Sequence, residues 1–287
     1  MDDLDAILPP RASGVSPVGV IGGTGVYDPT WLTEAKTHAL NTPYGAVTVT
    51  AGMIGDRAAV FVNRHGPGHH TPPHRVNYRA NLWLMHALRV RHVVATTAVG
   101  AVNPAVEPGR LLLASQFLDF TKSRATTFFD GEDGRVIHVD VTEPYCRGLR
   151  RQIASAADEL GIPVVHGGTY VATEGPRFES AAEIRAYRIL GGDVVGMTGV
   201  PEVVLARELG ICYATLCLST NLAAGLGEGP LTHDEVLSVM ARHQDAVRRL
   251  LGAVLPRLGR DPGSEALCRC PPAPLPLNAP GGDAHGQ

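Results

Sequence analysis

The sequence predicts a single α/β domain: a mixed, largely parallel, twisted sheet flanked by helices. Two observations predict it. Short apolar or β-branched runs alternate along the chain with stretches of helical periodicity, the pattern of strands joined through helices. The polar residues best suited to hold a ligand, Thr24, Arg64, His65, Thr97, Thr198 and Asn221, collect where predicted strands end, which is where such sheets bind ligands. Composition permits the fold, since 287 residues, 44% hydrophobic and 18% charged, supply an ample core. A formal net charge of -3 leaves no electrostatic footprint for nucleic acid or an anionic membrane. No apolar run reaches the roughly 20 residues a bilayer span needs. The start, MDDLDAILPPRASG, is acidic and lacks the apolar stretch of a signal peptide, so a cytoplasmic protein is expected.

Residues 1–16 are expected to be disordered, 17–258 to form the domain, and 259–287 to be a disordered Pro- and Gly-rich tail with no part in a site. Val18-Gly19-Val20-Ile21 reads as a buried strand running into Gly22-Gly23-Thr24-Gly25, where glycines let backbone approach a ligand and Thr24 adds a hydroxyl. A dinucleotide loop is rejected, because the G-x-G-x-x-G spacing fails at Asp28 and no helical pattern follows at once. After the turn Thr42-Pro43-Tyr44-Gly45, segments around 47–49 and 58–62 read as a hairpin whose second strand ends at Asn63-Arg64-His65-Gly66. A His- and Pro-dense loop, GPGHHTPPH, precedes a helix over 76–88. Strands are expected at 92–97, 111–118 and 164–173, with a helix over 148–160.

A turn on Gly175-Pro176 then presents Phe178 and Glu179 side by side, an aromatic face and a carboxylate. A helical run follows, then the short apolar VVGMT and a helix opening at Pro201-Glu202, where proline's missing N–H costs nothing. Met197-Thr198-Gly199 is expected to offer free backbone N–H groups at a helix N-terminus, a seat for an anion. A strand over 211–218 delivers Ser219-Thr220-Asn221, and Thr232 with Glu235 forms a capping box for a last helix reaching about 255.

Five cysteines fit a reducing compartment: Cys146, Cys212 and Cys217 as small buried hydrophobes, and Cys268 and Cys270 as a C-x-C pair expected to be reduced and idle, with a tail disulfide as the alternative. His65, His69, His70 and His74 invite a metal reading, but no acidic or Cys partner lies nearby at ligand spacing, so no metal site is expected.

The motifs GVIGGTG, TPYG, RHG followed by VNYRAN, TTAVGA, EGPRFES and GMTGVPEVVLARE together resemble the trimeric nucleoside phosphorylase family, which includes purine nucleoside and methylthioadenosine phosphorylases. The resemblance runs over about 18–255 and looks most like the methylthioadenosine branch. It implies cleavage of a nucleoside's N-glycosidic bond by inorganic phosphate, giving free base and pentose 1-phosphate without metal or organic cofactor. It implies that Thr24, Arg64, His65, Thr97, the Ala98 backbone and Thr198 hold phosphate, and that Met197 lines the sugar. Phe178, Glu179, Asn221 and Ala223 then belong to the base side, with Asn221 and His65 as the catalytic pair and His233 at the 5′-hydroxyl. It further implies a homotrimer or a dimer of trimers, with His138 reaching a neighbouring subunit's site.

Two departures from the methylthioadenosine enzymes choose the base. Those carry acidic residues where this chain has TNLAAG, and a small hydroxyl residue where it has Glu179. An ionised Glu179 only accepts and suits the N1–H of hypoxanthine or guanine, while Asn221 can donate to O6 or N7. Adenine would set its bare N1 against that carboxylate, losing roughly 1–3 kcal/mol for an unmade buried hydrogen bond, and more for the charge. A 6-oxopurine nucleoside (inosine or guanosine) is the expected substrate, with S-methyl-5′-thioinosine or S-methyl-5′-thioadenosine as the alternative. A zinc-dependent hydrolase using the His loop and a non-catalytic nucleoside-binding protein remain the readings from other classes. Inosine against guanosine and ribose against deoxyribose are not decided by sequence.

Overall fold

The structure is a computed structural model that describes residues 4–9, 15–23, 31–66, 68, 70–132, 134–229 and 231–272. Its centre is β5 (His92–Ala101), flanked along its first half by β1 (Val18–Gly22) and along its length by β11 (Cys212–Leu222), both parallel to it. Beyond β1 lie β4 (Arg57–Asn63), β3 (Gly45–Ile54) and β2 (Thr33–Thr42), the last two antiparallel to their neighbours. The far end of β5 pairs antiparallel with β10 (Val194–Gly196), which leads to β9 (Thr169–Thr173) and β7 (Gln116–Phe120). On the other branch, β11 pairs with β6 (Leu111–Leu113) and β6 with β8 (Val164–His166). The sheet is mixed and largely parallel, as expected.

Side chains alternate across each strand, so one strand feeds two cores. Val60 and Val62 pack with Leu82 and Leu84 of α1 (Tyr78–Ala87) and Leu205 of α4 (Gly199–Glu208). Ala59 and Phe61 face the opposite way, onto Leu149 and Ile153 of α2 (Arg147–Leu160) and Leu250 of α5 (His233–Val254). Each such fully buried aliphatic contributes about 1.5–3 kcal/mol, so the two helical layers hold the sheet from both sides. The remaining helix of the domain, α3 (Ala181–Ile189), starts at a complete capping box: Ser180 accepts from the Glu183 N–H and Glu183 from the Ser180 N–H.

One strand was not foreseen, and three expectations need correction. Strand β2 is real although its residues, TEAKTHALNT, are mostly exposed; an edge strand needs little apolar patterning. The strands expected at 111–118 and 164–173 each break in two. They break together, because Ser115 and Gly168 bond to each other (Ser115 N to Gly168 O, 2.9 Å; Gly168 N to Ser115 Oγ, 3.0 Å), so both strands bend at one point and serve both branches of the sheet. The N-terminal segment is not structureless: Ile7 and Leu8 are buried in the core. The expected tail is partly ordered too, with a short α6 (Pro262–Glu265) packed on α2 and Ser264 buried; residues 273–287 lie outside the described ones. Among the described residues, no helix is long and apolar enough to cross a membrane.

Candidate active site

The parallel strands β1, β4, β5 and β11 run in one direction, so their C-terminal ends share one side of the sheet, and a cavity of about 490 Å³ opens there. Of the residues singled out from sequence, Arg64, His65, Thr97, Ala98, Phe178, Glu179, Met197, Thr198, Asn221 and Ala223 line it. Thr24 lies outside the described residues, as does the side chain of His233, though α5 does begin at that position. His138 is exposed on the long 121–146 connection and does not reach this chain's cavity.

Arg64 follows the end of β4, and its N–H donates to the Gly22 carbonyl (3.1 Å), carrying the β1–β4 ladder one residue further. The residue is 4% exposed and its side chain 1%. Nε and Nη2 donate to the two carboxylate oxygens of Glu202 (2.8 and 2.7 Å), and Nη1 donates to the Thr96 carbonyl (2.9 Å). Of its five N–H bonds, one on each terminal nitrogen is left after these three. Burial alone would lower the Arg64 pKa, but the charge and hydrogen bonds of Glu202 outweigh it and hold the cation above its ordinary value. Glu202 is 0% exposed and accepts a third bond from the Tyr213 hydroxyl (2.6 Å), whose own pKa burial pushes well up. Gly23 must be glycine here: a Cβ would stand 2.7 Å from the Thr96 carbonyl and 3.0 Å from Arg64 Nη1.

Beside Arg64, the Thr97 and Thr198 hydroxyls are 3.2 Å apart, both buried at the cavity wall. His65 Nδ1 lies 2.8 Å from the Thr71 carbonyl. A carbonyl only accepts, so Nδ1 carries the proton, and Nε2 can donate to an anion only when the ring is cationic. The expected free amides at Met197-Thr198-Gly199 need correction. The Thr198 and Gly199 N–H groups both donate to the buried Tyr170 hydroxyl (3.2 Å each), and Val200 is extended (φ -121°, ψ 134°), so the helix proper starts only at Pro201. What this corner offers the cavity is the Thr198 hydroxyl rather than a helix terminus.

At the other end, Glu179 is 8% exposed, and its Oε1 accepts from Thr173 Oγ1 (2.7 Å). Asn221 Oδ1 accepts from the Thr220 hydroxyl (2.8 Å), while Nδ2 donates to the Leu222 carbonyl (2.8 Å), which fixes the amide plane and keeps a second N–H in hand. The turn carrying Phe178 is held from behind by the buried side chain of Arg124, which donates to the carbonyls of Thr173 (3.1 Å), Glu174 (2.8 Å) and Val200 (2.7 Å). Glu202, Tyr170, Tyr213, Thr173, Thr220 and Arg124 were not singled out from sequence. Only Glu202 left a trace there, as a lone charge inside the apolar run GVPEVVLA.

Of the His-rich loop, His70 lines the cavity and His69 lies outside the described residues; among the described residues, the group of ligand atoms close enough to share an ion consists of cysteines.

Known proteins resemble this chain over most of its length. The pattern of the phosphorylase superfamily matches residues 17–256. A 6-oxopurine nucleoside phosphorylase of Pyrococcus furiosus is 49% identical over 259 residues, covering 88% of this chain and 96% of that protein. A probable S-methyl-5′-thioinosine phosphorylase of Methanopyrus kandleri is 56% identical over 224 residues, covering 78% and 85%. Among solved structures, a methylthioadenosine phosphorylase of Schistosoma mansoni in complex with adenine superposes with a TM-score of 0.82 at 33% identity, covering 88% of this chain and 98% of that one. Matched over residues 17–256 by that pattern, and at 49% identity by a relative that covers 88% of its length, the chain belongs to the phosphorylase superfamily.

Proposed function

We propose that this enzyme cleaves 6-oxopurine nucleosides, inosine and guanosine, with inorganic phosphate to free base and ribose 1-phosphate, as a step of purine salvage in the cytoplasm. The observation that carries the reading is the pairing of Glu179 and Asn221 on the wall of one cavity with Arg64, Thr97 and Thr198. Thr173 occupies one oxygen of Glu179, and among the described residues no donor takes the other, which suits a purine N1–H. The spare N–H of Asn221 suits N7 or O6. Both the P. furiosus and the M. kandleri relatives are named for substrates whose base is a 6-oxopurine.

In this reading the two remaining Arg64 N–H groups, the Thr97 and Thr198 hydroxyls, the Ala98 backbone, Thr24 and cationic His65 cradle phosphate. Phe178 stacks on the base, with Ala223 beside it, and Met197 lies along the sugar. The fixed phosphate stabilises the oxocarbenium-like sugar and then captures its anomeric carbon, while Asn221 stabilises the charge leaving on the purine. No metal or organic cofactor enters this chemistry; phosphate is a co-substrate. The active form is proposed to be a homotrimer or a dimer of trimers, which would also cover the apolar residues Phe120, Val136 and Ile189 exposed on the single chain. Light scattering in solution decides the assembly.

A second reading, S-methyl-5′-thioinosine as substrate, is favoured by one observation: Leu231 and Val236, next to the helix start where His233 was expected to meet a 5′-hydroxyl, put apolar surface on the cavity. One coupled assay tests both, comparing inosine, guanosine, adenosine, methylthioinosine and methylthioadenosine with and without phosphate. Inosine exceeding methylthioinosine in kcat/KM supports the first reading and the reverse supports the second. Adenosine equal to inosine overturns both.

A further inference from the structure

Cys146, Cys212, Cys268 and Cys270 come from three distant parts of the chain, yet their four sulfurs lie within 4.8 Å of one another. Cys212 Sγ and Cys268 Sγ are 3.3 Å apart, and all four are free thiols. Four thiolates around one zinc ion, with Zn–S of about 2.3 Å, stand about 3.8 Å from each other, so the cluster already has the size of a tetrahedral site. We propose that these four cysteines bind one structural zinc ion that fastens the C-terminal segment to the domain.

The surrounding chain is arranged for it. Cys146 is the N-cap of α2, a position that normally goes to Ser, Thr, Asp or Asn, and its side chain makes no capping bond. A thiol there forgoes the cap but sits where the helix dipole favours a thiolate. Cys212 opens β11 and is fully buried. Cys268 lies three residues past the end of α6, its N–H bonded to the Glu265 carbonyl (2.9 Å), and Cys270 is two positions further on. The approach of this segment is built in, since a Cβ at Gly148 would collide with the Ser264 carbonyl. Four thiolates and one divalent cation leave a net negative site, and Arg147 and Arg150 in the first turn of α2 and Arg269 between the tail cysteines bring positive charge to it; Arg150 Nε has no hydrogen-bond partner among the described residues. Soft, all-sulfur tetrahedral sets select zinc over hard cations. None of the four cysteines lines the catalytic cavity, so the inference is independent of the substrate.

The test uses the full chain purified under reductant, loaded with Zn2+ and then freed of loose metal. Elemental analysis is expected to give about one zinc per chain, and Co2+ loading the visible bands of tetrahedral cobalt thiolate. Cys268→Ser with Cys270→Ser should lose the metal and several degrees of Tm while keeping phosphorolysis within about twofold, since only the fastening of the tail is removed. To separate loss of metal from misfolding of that variant, release of zinc from the unaltered chain by a mercurial, read with a zinc dye, is the second measurement. A loaded chain that holds no zinc while all four thiols react freely overturns the proposal. So does peptide mapping that finds the four sulfurs joined in disulfides which persist in reductant.

Discussion

At one end of the cavity, Arg64 is 4% exposed and three of its N–H groups are bonded to protein, with Glu202, Tyr213 and Thr215 stacked in hydrogen-bonded series behind it. At the other, Phe178 is 38% exposed, and Glu179 hangs from a single side-chain bond to Thr173. The first set stands on the sheet and on α4; the second on a turn between β9 and α3. In the reading proposed above, phosphate meets the heavily bonded end, the rigid one for this comparison, and the base meets the sparsely bonded, more pliable end. That contrast assigns different consequences to substitutions at the two ends.

The largest effect is expected at the rigid end. Glu202→Ala leaves the Arg64 cation buried and unpaired, a loss of about 3–5 kcal/mol, which in a domain of this size lowers Tm on the order of 10 °C. A melt within a degree or two of the unaltered protein would show that the buried pair does not brace the site. Asn221→Ala comes next: the fold should survive, and kcat should fall about 10²–10³ as when one transition-state donor is removed. An unchanged kcat takes Asn221 out of leaving-group stabilisation.

At the pliable end, Thr173→Val frees Glu179 from its one anchor. The inosine-to-adenosine ratio of kcat/KM should shrink by up to about tenfold, the worth of one hydrogen bond of roughly 0.5–1.5 kcal/mol, with the KM for phosphate untouched. If phosphate binding weakens as well, the two ends are mechanically one. The smallest effect lies just beyond, at the α3 capping box. Ser180→Ala should cost about 1 kcal/mol in stability and little in turnover. The Arg177 guanidinium, and then the Ser180 N–H, hold the Glu183 carboxyl down at about 2. A depressed acid stabilises the fold above its ordinary pKa and loses that as pH falls, so this contribution should fade between about pH 4.5 and 2, and modestly, because the group is exposed. Melts of the Arg177→Ala variant that show the same acid sensitivity would remove Glu183 from the account.

What was legible in the sequence follows the same division. Residues that reach the cavity sit in short runs at strand ends, so Arg64, Thr97, Thr198 and Asn221 could be found from local pattern alone. The residues that hold them could not. Glu202 is 138 positions from Arg64, and Tyr170 is 28 from Thr198, and nothing in their own neighbourhoods marks them as partners. The cysteines at 146, 212, 268 and 270 are free as expected, but their gathering was hidden for the same reason: only the packing of α6 against α2 brings the tail pair to the other two. The split of the strands at Ser115 and Gly168 was hidden because each half keeps a strand's composition, and the break belongs to the bond between them.

The buried Arg57 at the start of β4 has a consequence for how the chain can be cut or extended. It donates through Nε to the Ser16 carbonyl (2.9 Å) and through Nη1 to the Leu258 carbonyl, so one guanidinium clasps the backbone just before the first strand and just after the last long helix. A truncation placed anywhere before residue 258 would strand this cation, and the damage would surface some two hundred positions away, in the β3–β4 hairpin and at the entry to β1. For this protein, the beginning and the end of the fold answer to the same side chain.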